Sequence, residues 1–328
     1  MPPTSHPVPT TTPTTSRGRY APSPTGALHL GNLRTALLAW LFARSAGGAF
    51  VLRMEDLDRP RTRPGAAARI LADLRWLGLD WDEGPDVGGA YGPYVQSQRA
   101  ALYAAVLGRL RAAGLLYPCY CTRAELSQLA SAPQGPVGEP PPYPGTCRHL
   151  TTRQRRAHEA SGRRPALRFR APGTPIAFAD RVAGPQRENV AACVGDFVVR
   201  RSDGVIAYQL AVVVDDALMG ITQMVRGADL LSSTARQLAL FDALGHPRPT
   251  AFAHVPLALD DRGDRLAKRD AAAGIAALQA RGLSADRVLG ALAASCGIWP
   301  PATPATPRDL LAAFDPTRIS PAPGPIAL

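Results

Sequence analysis

Hydrophobic residues recur every three or four positions between residues 31 and 46, which predicts an amphipathic helix. The pair Gly47-Gly48 follows directly and indicates where this helix ends. The apolar segment AFVLRME at 49–55 is typical of a short buried strand, and another such strand is expected to begin at Arg19. Residues 19–54 therefore predict a strand–loop–helix–strand unit of an α/β fold, with helices covering a parallel sheet.

Four later segments have the apolar character of strands, namely ALRFR, DFVVRR, VIAYQLAVVVDD and ITQMVRG. A helix is expected after the last of them, over Leu231–Leu244. The helical pattern weakens after Asp270, and the proline-rich segments PPATPATP and SPAPGPIAL predict loose structure towards the end of the sequence.

Composition and charge narrow the functional classes. The chain has 328 residues, of which 46% are hydrophobic, so it can bury one large core or two smaller ones. Its net charge of +11 favours a polyanionic partner such as nucleic acid, although a compositional preference for arginine is the alternative. The five cysteines do not suggest a disulfide framework. The sequence lacks a signal peptide and a membrane-spanning run, so a cytoplasmic protein is expected.

The segment RYAPSPTGALHLGN at 19–32 combines two prolines, two glycines and one histidine. This composition suits neither a core strand nor a helix, but it suits a tight loop that ends at a helix N-terminus. Backbone N–H groups at such a terminus bind phosphate, and His29 can donate a hydrogen bond to a phosphate oxygen. An ordinary surface loop remains the alternative on these residues alone.

The same loop resembles the "HIGH" signature of class I aminoacyl-tRNA synthetases, in the PSPTGxLHxG form of glutamyl-tRNA synthetases. Further segments are similar to that family in the same order, namely LRMEDLDRPR, WLGLDWDEGP, YGPYVQSQR, LYPCYCTRAEL, YQLAVVVDD and VRGADLLSSTARQ. The resemblance spans residues 19–270. It implies a Rossmann-like class I catalytic domain with a parallel sheet and an inserted acceptor-type subdomain.

The resemblance also implies a pocket for the amino acid glutamate. Glu55 matches the acid that holds the substrate ammonium, while Arg19 and Arg226 match residues that bind carboxylates, and Tyr208 adds a hydroxyl donor. The loop residues implied around the same substrate are Tyr20, Ala21, Pro22 and Ser23. Any one of these charged residues could instead form a surface ion pair.

For ATP, the resemblance implies binding by His29, Gly31, Asn32 and Lys268, with His29 and Lys268 as catalytic residues and Mg²⁺ accompanying the phosphates. Lys268 lies in GDRLAKRD, which corresponds to the "KMSKS" signature of the family. The segment departs from that signature because Arg265 replaces a lysine and Ala267 replaces a serine.

The stretch after Arg269 is expected to be too short for the helical anticodon-binding domain of a full-length glutamyl-tRNA synthetase. This arrangement is similar to the glutamyl-queuosine tRNA(Asp) synthetase family. That family activates glutamate without tRNA and transfers it to queuosine at the wobble position of tRNA(Asp). Two alternatives are a shortened glutamyl-tRNA synthetase that charges the tRNA 3′ end and a catalytically silent tRNA-binding paralogue.

A metal site is implied at Cys119, Cys121, Tyr143 and Cys147, because the subfamily holds zinc with three cysteines and a tyrosine. The loop between Cys121 and Tyr143 is rich in proline and glycine, so a bound metal ion could supply a constraint that core packing does not. The alternative is that these cysteines are small buried hydrophobic residues.

The expected organisation has five parts. Residues 1–18 form a disordered Pro/Thr-rich tail, 19–115 and 201–270 form the two halves of the catalytic domain, 116–200 form the inserted subdomain with the zinc site, and 271–328 form a short helical remnant with a proline-rich tail and no anticodon-binding domain. The lysine loop belongs to the second catalytic half. A monomer is expected.

Overall fold

A largely parallel sheet forms the centre of the molecule. The computed structural model describes residues 16–122, 124–126, 141–259 and 274–328. The strands are β1 (Arg17–Tyr20), β2 (Ala49–Leu52), β3 (Leu116–Cys119), β4 (Ala166–Phe169), β5 (Ile176–Asp180), β6 (Gly184–Glu188), β7 (Phe197–Arg200), β8 (Gln223–Gly227), β9 (Ala251–Val255), β10 (Ala258–Leu259) and β11 (Gly324–Pro325).

Helices cover this sheet and form the remaining layers. They are α1 (Leu30–Ser45), α2 (Ala66–Trp76), α3 (Ala100–Ala112), α4 (Thr152–Ala160), α5 (Val190–Cys193), α6 (Tyr208–Leu218), α7 (Leu231–Leu244), α8 (Ile275–Ala280), α9 (Ala285–Ala294) and α10 (Pro307–Ala312). Short 3₁₀ helices lie at Arg59–Arg61, Gln96–Gln98, Ala228–Leu230 and Pro316–Arg318. In the described part of the chain, no helix is long and apolar enough to cross a bilayer.

The strand order of the main sheet is β2-β1-β8-β9-β5-β6, and only β6 runs antiparallel to its neighbour. From β1 the chain crosses through α1 to β2 on one side, whereas from β8 it crosses through α7 to β9 on the other. The direction of winding therefore reverses between β1 and β8. In such sheets a crevice opens at the carboxyl ends of the two strands, and ligands bind there.

The first unit agrees with its prediction but begins earlier. Arg17 and Gly18 pair with Ala49 and Phe50 of β2, so ordered structure precedes the expected boundary after residue 18. Only residues 1–15 of the expected disordered tail lie outside the described residues. Helix α1 is buried along almost its whole length between the sheet and α9, so it lacks the polar face expected of the predicted amphipathic helix.

The prediction of a strand at VIAYQLAVVVDD was wrong, because most of this segment forms helix α6. Residues 210–214 are all almost fully buried, since the helix packs against α3, α7 and β7. A helix surrounded by protein has apolar residues on every face, so its sequence shows a continuous apolar run instead of a helical period.

The segment 116–200, which was expected to carry the inserted subdomain, supplies strands to both sheets. Strands β3, β4 and β7 form a small antiparallel sheet, but β5 and β6 extend the main sheet beyond β9. The sequence patterns of these short strands identify them as strands at most. They do not indicate which of the two sheets each strand joins.

The C-terminal region is more ordered than its proline content predicted. Helices α9 and α10 pack on α1, and Leu310 and Ile319 are buried in the same core. The final segment forms β11, which pairs in parallel with β10 (Ala258 with Gly324). The segments PPATPATP and SPAPGPIAL contain little regular structure, as predicted, but the residues between them form α10 and a 3₁₀ helix whose apolar side chains reach the core.

Candidate active site

A cavity of about 350 Å³ lies at the carboxyl ends of β1 and β8, where the winding of the sheet reverses. Its walls come from both strands, the loop after β1, the first turn of α1 and the start of α6. The sequence-predicted residues that line it are Arg19, Tyr20, Ala21, Pro22, Ser23, His29, Gly31, Asn32, Glu55, Tyr208 and Arg226. Lys268, together with Arg265 and Ala267, lies outside the described residues.

The loop after β1 is held in place by backbone hydrogen bonds to the segment after β2. The Arg53 N–H donates to the Tyr20 carbonyl and the Glu55 N–H donates to the Pro22 carbonyl, both at 3.0 Å. These bonds continue the β1–β2 pairing beyond the strands. They bring Glu55, which also lines the cavity, beside the loop.

His29 begins α1 and caps it. Its Nδ1 accepts a hydrogen bond from the Asn32 backbone, and the Asn32 side chain accepts one from the His29 backbone. A Cβ atom at Gly31 would lie 3.1 Å from the His29 ring and 3.2 Å from Ala258, so glycine allows this close packing. The positive end of the α1 dipole therefore faces a cavity wall suited to an anion.

A buried cluster of charges supports the other side of the cavity. Arg53 is fully buried and donates to Glu55 Oε1 at 3.1 Å and to Asp216 Oδ1 at 2.8 Å, and its Nε lies 3.6 Å from Asp215 Oδ2. The same Asp216 oxygen accepts from Arg19 Nε at 3.3 Å. Arg53 thus holds Glu55 directly and Arg19 through Asp216.

The charges in this cluster influence one another strongly. Although burial alone would raise it, the positive charges of Arg19 and Arg53 hold the pKa of Asp216 below its usual range. Burial raises the pKa of Glu55, and Arg53 only partly offsets this effect. A cationic group that entered the cavity beside Glu55 would stabilise the ionised carboxylate.

Asp215 extends the cluster to α3. It accepts hydrogen bonds from Arg99 Nε at 2.6 Å, from Gln96 Nε2 at 2.8 Å and from the Tyr103 hydroxyl at 2.9 Å. All four side chains are buried. The cluster therefore joins β2, α3 and α6 around one set of compensated charges.

Arg226 lies at the end of β8, is 4% exposed and is held by neutral groups. Its Nε donates to His254 Nε2 at 3.1 Å, its Nη1 to Gln237 at 2.7 Å and its Nη2 to Thr234 at 2.7 Å. Burial, together with repulsion from Arg19, holds the pKa of Arg226 below its usual range. Within the described part of the chain, no carboxylate forms an ion pair with this guanidinium.

The cavity therefore presents a carboxylate, Glu55, and two guanidinium groups, Arg19 and Arg226. A small molecule with one ammonium and one carboxylate would neutralise both kinds of charge. The α1 end of the cavity adds a site for a second anion, such as a phosphate.

A second cluster lies on the small sheet. The Sγ atoms of Cys119, Cys121 and Cys147 are all within 4.8 Å of one another. The Tyr143 hydroxyl lies 3.4 Å from Cys119 Sγ, and the Cys121 and Cys147 sulfurs are 3.6 Å apart. A tetrahedral zinc ion with Zn–S bonds of about 2.3 Å needs sulfurs about 3.8 Å apart, so these four residues fit such an ion.

Arg168 on β4 lies against this cluster. Its Nε donates to Cys119 Sγ at 3.2 Å, and its guanidinium carbon lies 3.6 Å from the centre of the Tyr143 ring. A cation in this position stabilises a thiolate and, through the face of the ring, a phenolate. Sequence reasoning missed this residue.

Comparison with known proteins decides the family. A family model described as tRNA synthetases class I (E and Q), catalytic domain, matches residues 15–292. The chain belongs to this family. The class I synthetase fold agrees with the Rossmann-like catalytic domain that the sequence predicted, and it makes the chain a ligase-type enzyme that uses ATP as a substrate.

Two curated relatives from this class I family are named Glutamyl-Q tRNA(Asp) synthetase. The protein from Symbiobacterium thermophilum is 60% identical over 92% of this chain and 93% of its own length. The protein from Nitratidesulfovibrio vulgaris is 58% identical over 89% of this chain and 90% of its own length. The crystal structure of the glutamate-tRNA synthetase from Elizabethkingia anophelis matches with a TM-score of 0.80 and 30% identity, over 94% of this chain and 67% of that one.

The supporting residues of this class I site were harder to find than its lining. Arg53, Asp215 and Asp216 do not belong to the predicted site, yet each is a charged residue inside or beside an apolar run. His254 is likewise a lone polar residue within the apolar segment AFAHVPLAL. A charged side chain inside an apolar, buried segment needs a partner of opposite charge or a hydrogen-bond partner. Its presence in such a segment is therefore the sequence feature that could have indicated these residues.

We expect Arg53→Met to destabilise the fold by about 3–5 kcal/mol, because it leaves three buried carboxylates without their shared cation. Urea-induced unfolding measures the effect. Arg248→Met is the control: it breaks an exposed ion pair with Asp242 and should cost less than about 1 kcal/mol. Similar stabilities for the two variants would contradict the supporting role of Arg53.

Proposed function

We propose that this enzyme activates glutamate with ATP in the absence of tRNA and transfers it to queuosine at the wobble position of tRNA(Asp). The observation that carries the proposal is the match to two proteins named Glutamyl-Q tRNA(Asp) synthetase, each over about nine tenths of its own length. The match to a glutamate-tRNA synthetase leaves about a third of that chain uncovered.

In this proposal the charges of the cavity select glutamate. Glu55 binds the substrate ammonium, and its raised pKa falls when that cation arrives. Arg19 and Arg226 bind the side-chain carboxylate between them, and Tyr208, at the cavity wall, donates its hydroxyl to the substrate. The α-carboxylate is then left facing the α1 end of the cavity.

The distribution of charge also explains why glutamine is rejected. Arg19 is compensated by Asp216, but the hydrogen bonds of Arg226 go to neutral groups. A substrate amide would leave this buried cation without a counter-charge, which is a large penalty in a site of low polarity.

ATP occupies the end of the cavity formed by the loop after β1 and the start of α1. His29, Gly31 and Asn32 lie against its phosphates, and Lys268 contributes a further positive charge by its resemblance to the family lysine. Mg²⁺, bound mainly through phosphate oxygens, neutralises part of the phosphate charge when it is present.

The chemistry that follows has two steps. A glutamate α-carboxylate oxygen attacks the α-phosphorus of ATP, the bond to the bridging oxygen breaks, and pyrophosphate leaves with that electron pair. In the second step a queuosine hydroxyl oxygen attacks the activated carbonyl carbon, the bond from that carbon to the phosphate oxygen breaks, and AMP leaves with that electron pair while the hydroxyl proton passes to the released phosphate. Positive groups at the α1 end stabilise the charge that develops in the first step.

For the acceptor, the net charge of +11 favours a nucleic acid. We propose that the enzyme acts as a monomer in the cytoplasm, where ATP and tRNA are available.

For the metal, we propose that Cys119, Cys121, Tyr143 and Cys147 hold a structural zinc ion. Three sulfurs and one phenol oxygen at the observed spacing fit tetrahedral coordination. The ion would fasten the two ends of the segment 122–142 to the small sheet.

The first prediction concerns substrate selection. Pyrophosphate–ATP exchange without tRNA should proceed with glutamate at least ~100-fold more efficiently than with glutamine, and aspartate should also be poor. Arg226→Gln should reduce the glutamate-to-glutamine ratio, because it removes the uncompensated cation. Arg201→Gln, which changes an exposed arginine that is not part of the cavity lining, is the matched control. Equal exchange with glutamate and glutamine by the natural protein would show that the cavity charges have been assigned wrongly.

The second prediction concerns the acceptor. Radiolabelled glutamate should be transferred to tRNA(Asp) that contains queuosine, and not to tRNA(Asp) that lacks it or to tRNA(Glu). Removal of the 3′-terminal adenosine should leave transfer unchanged, because the ester forms in the anticodon loop. Loss of transfer on this truncated tRNA would instead support charging at the 3′ end.

The third prediction concerns zinc. Protein purified without chelators should contain about one zinc ion per chain by elemental analysis, and Cys119→Ser should lose it. Cys193→Ser is the control, because Cys193 is exposed and outside the cluster. A folded natural protein that contains no zinc would assign the three cysteines to packing.

A further inference from the structure

Three charged or polar residues form a chain across neighbouring strands beneath the cavity. Asp180 ends β5, His254 lies on β9 and Arg226 lies on β8, and these three strands are adjacent in the sheet. Asp180 Oδ2 lies 2.6 Å from His254 Nδ1, and Arg226 Nε lies 3.1 Å from His254 Nε2. All three side chains are buried, and His254 is 1% exposed, so these hydrogen bonds are shielded from solvent.

The partners of His254 fix its protonation. Arginine has no acceptor and stays protonated, so Nε2 must accept the Arg226 hydrogen bond and carries no proton. Although burial opposes it, the hydrogen bonds from His254 and from the Ala183 and Val182 backbones hold the pKa of Asp180 at about 2. The ionised carboxylate accepts a hydrogen bond, so Nδ1 carries the proton.

Other groups around the ring favour the same neutral form. The Thr234 hydroxyl lies 3.0 Å from His254 Nε2, on the side of the lone pair that accepts from Arg226. The oxygen of the same hydroxyl accepts a hydrogen bond from Arg226 Nη2. Burial lowers the pKa of His254 and so do the positive charges of Arg226 and Arg19, whereas Asp180 opposes them. The net direction is downward, which keeps the imidazole neutral near pH 7.

We propose that Asp180 and His254 form a positioning pair for Arg226, holding its guanidinium towards the glutamate carboxylate without neutralising its charge. Asp180 selects the Nδ1–H tautomer, and the Nε2 lone pair then fixes the Arg226 Nε–H. Three of the five guanidinium donors are taken by the neutral acceptors His254, Gln237 and Thr234. The remaining donors are on the terminal nitrogens, where the neutral Tyr208 hydroxyl is a further partner, and both residues line the cavity.

A neutral acceptor performs this task better than a carboxylate would. A carboxylate in direct contact with Arg226 would compete with the substrate for the same charge. The imidazole separates the Asp180 charge from Arg226 by the width of the ring, so orientation comes from hydrogen bonding while most of the attraction remains for the ligand. This inference rests on the proposed activation of glutamate.

Two substitutions separate the two hydrogen bonds of His254. In His254→Asn the amide can replace the Nδ1–H donor to Asp180, but nothing replaces the Nε2 acceptor. In His254→Gln the longer side chain can place its amide oxygen near the Nε2 position and accept from Arg226. His246→Asn is the control, because His246 is also buried but lies beyond the end of α7 and away from Arg226.

We expect His254→Asn to raise KM for glutamate by about tenfold or more in pyrophosphate exchange, while KM for ATP and kcat change by less than about threefold. His254→Gln should recover most of the glutamate KM, and His246→Asn should leave it unchanged. Equal losses in the Asn and Gln variants, or a fall in kcat with no change in glutamate KM, would overturn the proposal.

A second readout does not depend on activity. Nitrogen-15 NMR of histidine-labelled natural protein should show a neutral His254 with a protonated Nδ1 and an unprotonated Nε2, identified by loss of the signal in His254→Gln. A protonated Nε2 would overturn the positioning pair whatever the substrate is. Absence of glutamate-dependent exchange in the natural protein, with this tautomer present, would overturn only the proposed function and leave the pair supported.

Discussion

The guanidinium of Arg53 is the interaction on which both the fold and the cavity depend. It is fully buried immediately after β2 and faces carboxylates from its own segment and from α6. Those carboxylates could not be buried without it, since an uncompensated charge in the interior costs several kcal/mol. The same cation holds Glu55, and through Asp216 it holds Arg19. The cavity wall is therefore built from the charges that join the two halves of the sheet.

Within this arrangement the arginines have two different roles. Arg53 and Arg99 are neutralised by carboxylates and act as structural connections between β2, α3 and α6. Arg226 is oriented by neutral hydrogen-bond acceptors and retains its charge for a ligand. Neither residue type nor burial distinguishes these roles, because all three residues are buried arginines. What separates them is whether the acceptor that fixes the guanidinium is itself charged.

The lining residues between 19 and 32 lie on one continuous loop followed by a capped helix, but their assignment to a site, like that of Glu55, Tyr208 and Arg226, came from the resemblance to the synthetase signatures. The residues 19–32 combine turn-forming prolines and glycines with a helix start, and local chemistry determines their shape. Helix α6 was mistaken for a strand because its burial on all sides removed the helical period. The partners Asp180 and His254 are 74 residues apart, and only the order of strands in the sheet brings them together. No local pattern contains that information.

The path of the chain between the two halves of the sheet gives the inserted segment an indirect contact with the cavity. After α3 the chain leaves the main sheet, forms β3 and β4 of the small sheet with its cysteine cluster, and returns as β5 before β7 completes the small sheet. Asp180 is the last residue of that returning strand. The carboxylate that fixes His254, and through it Arg226, is therefore supplied by the same covalent segment that carries Cys119 and Cys147. The inserted segment is therefore linked to the cavity by two successive hydrogen bonds, one between Asp180 and His254 and one between His254 and Arg226.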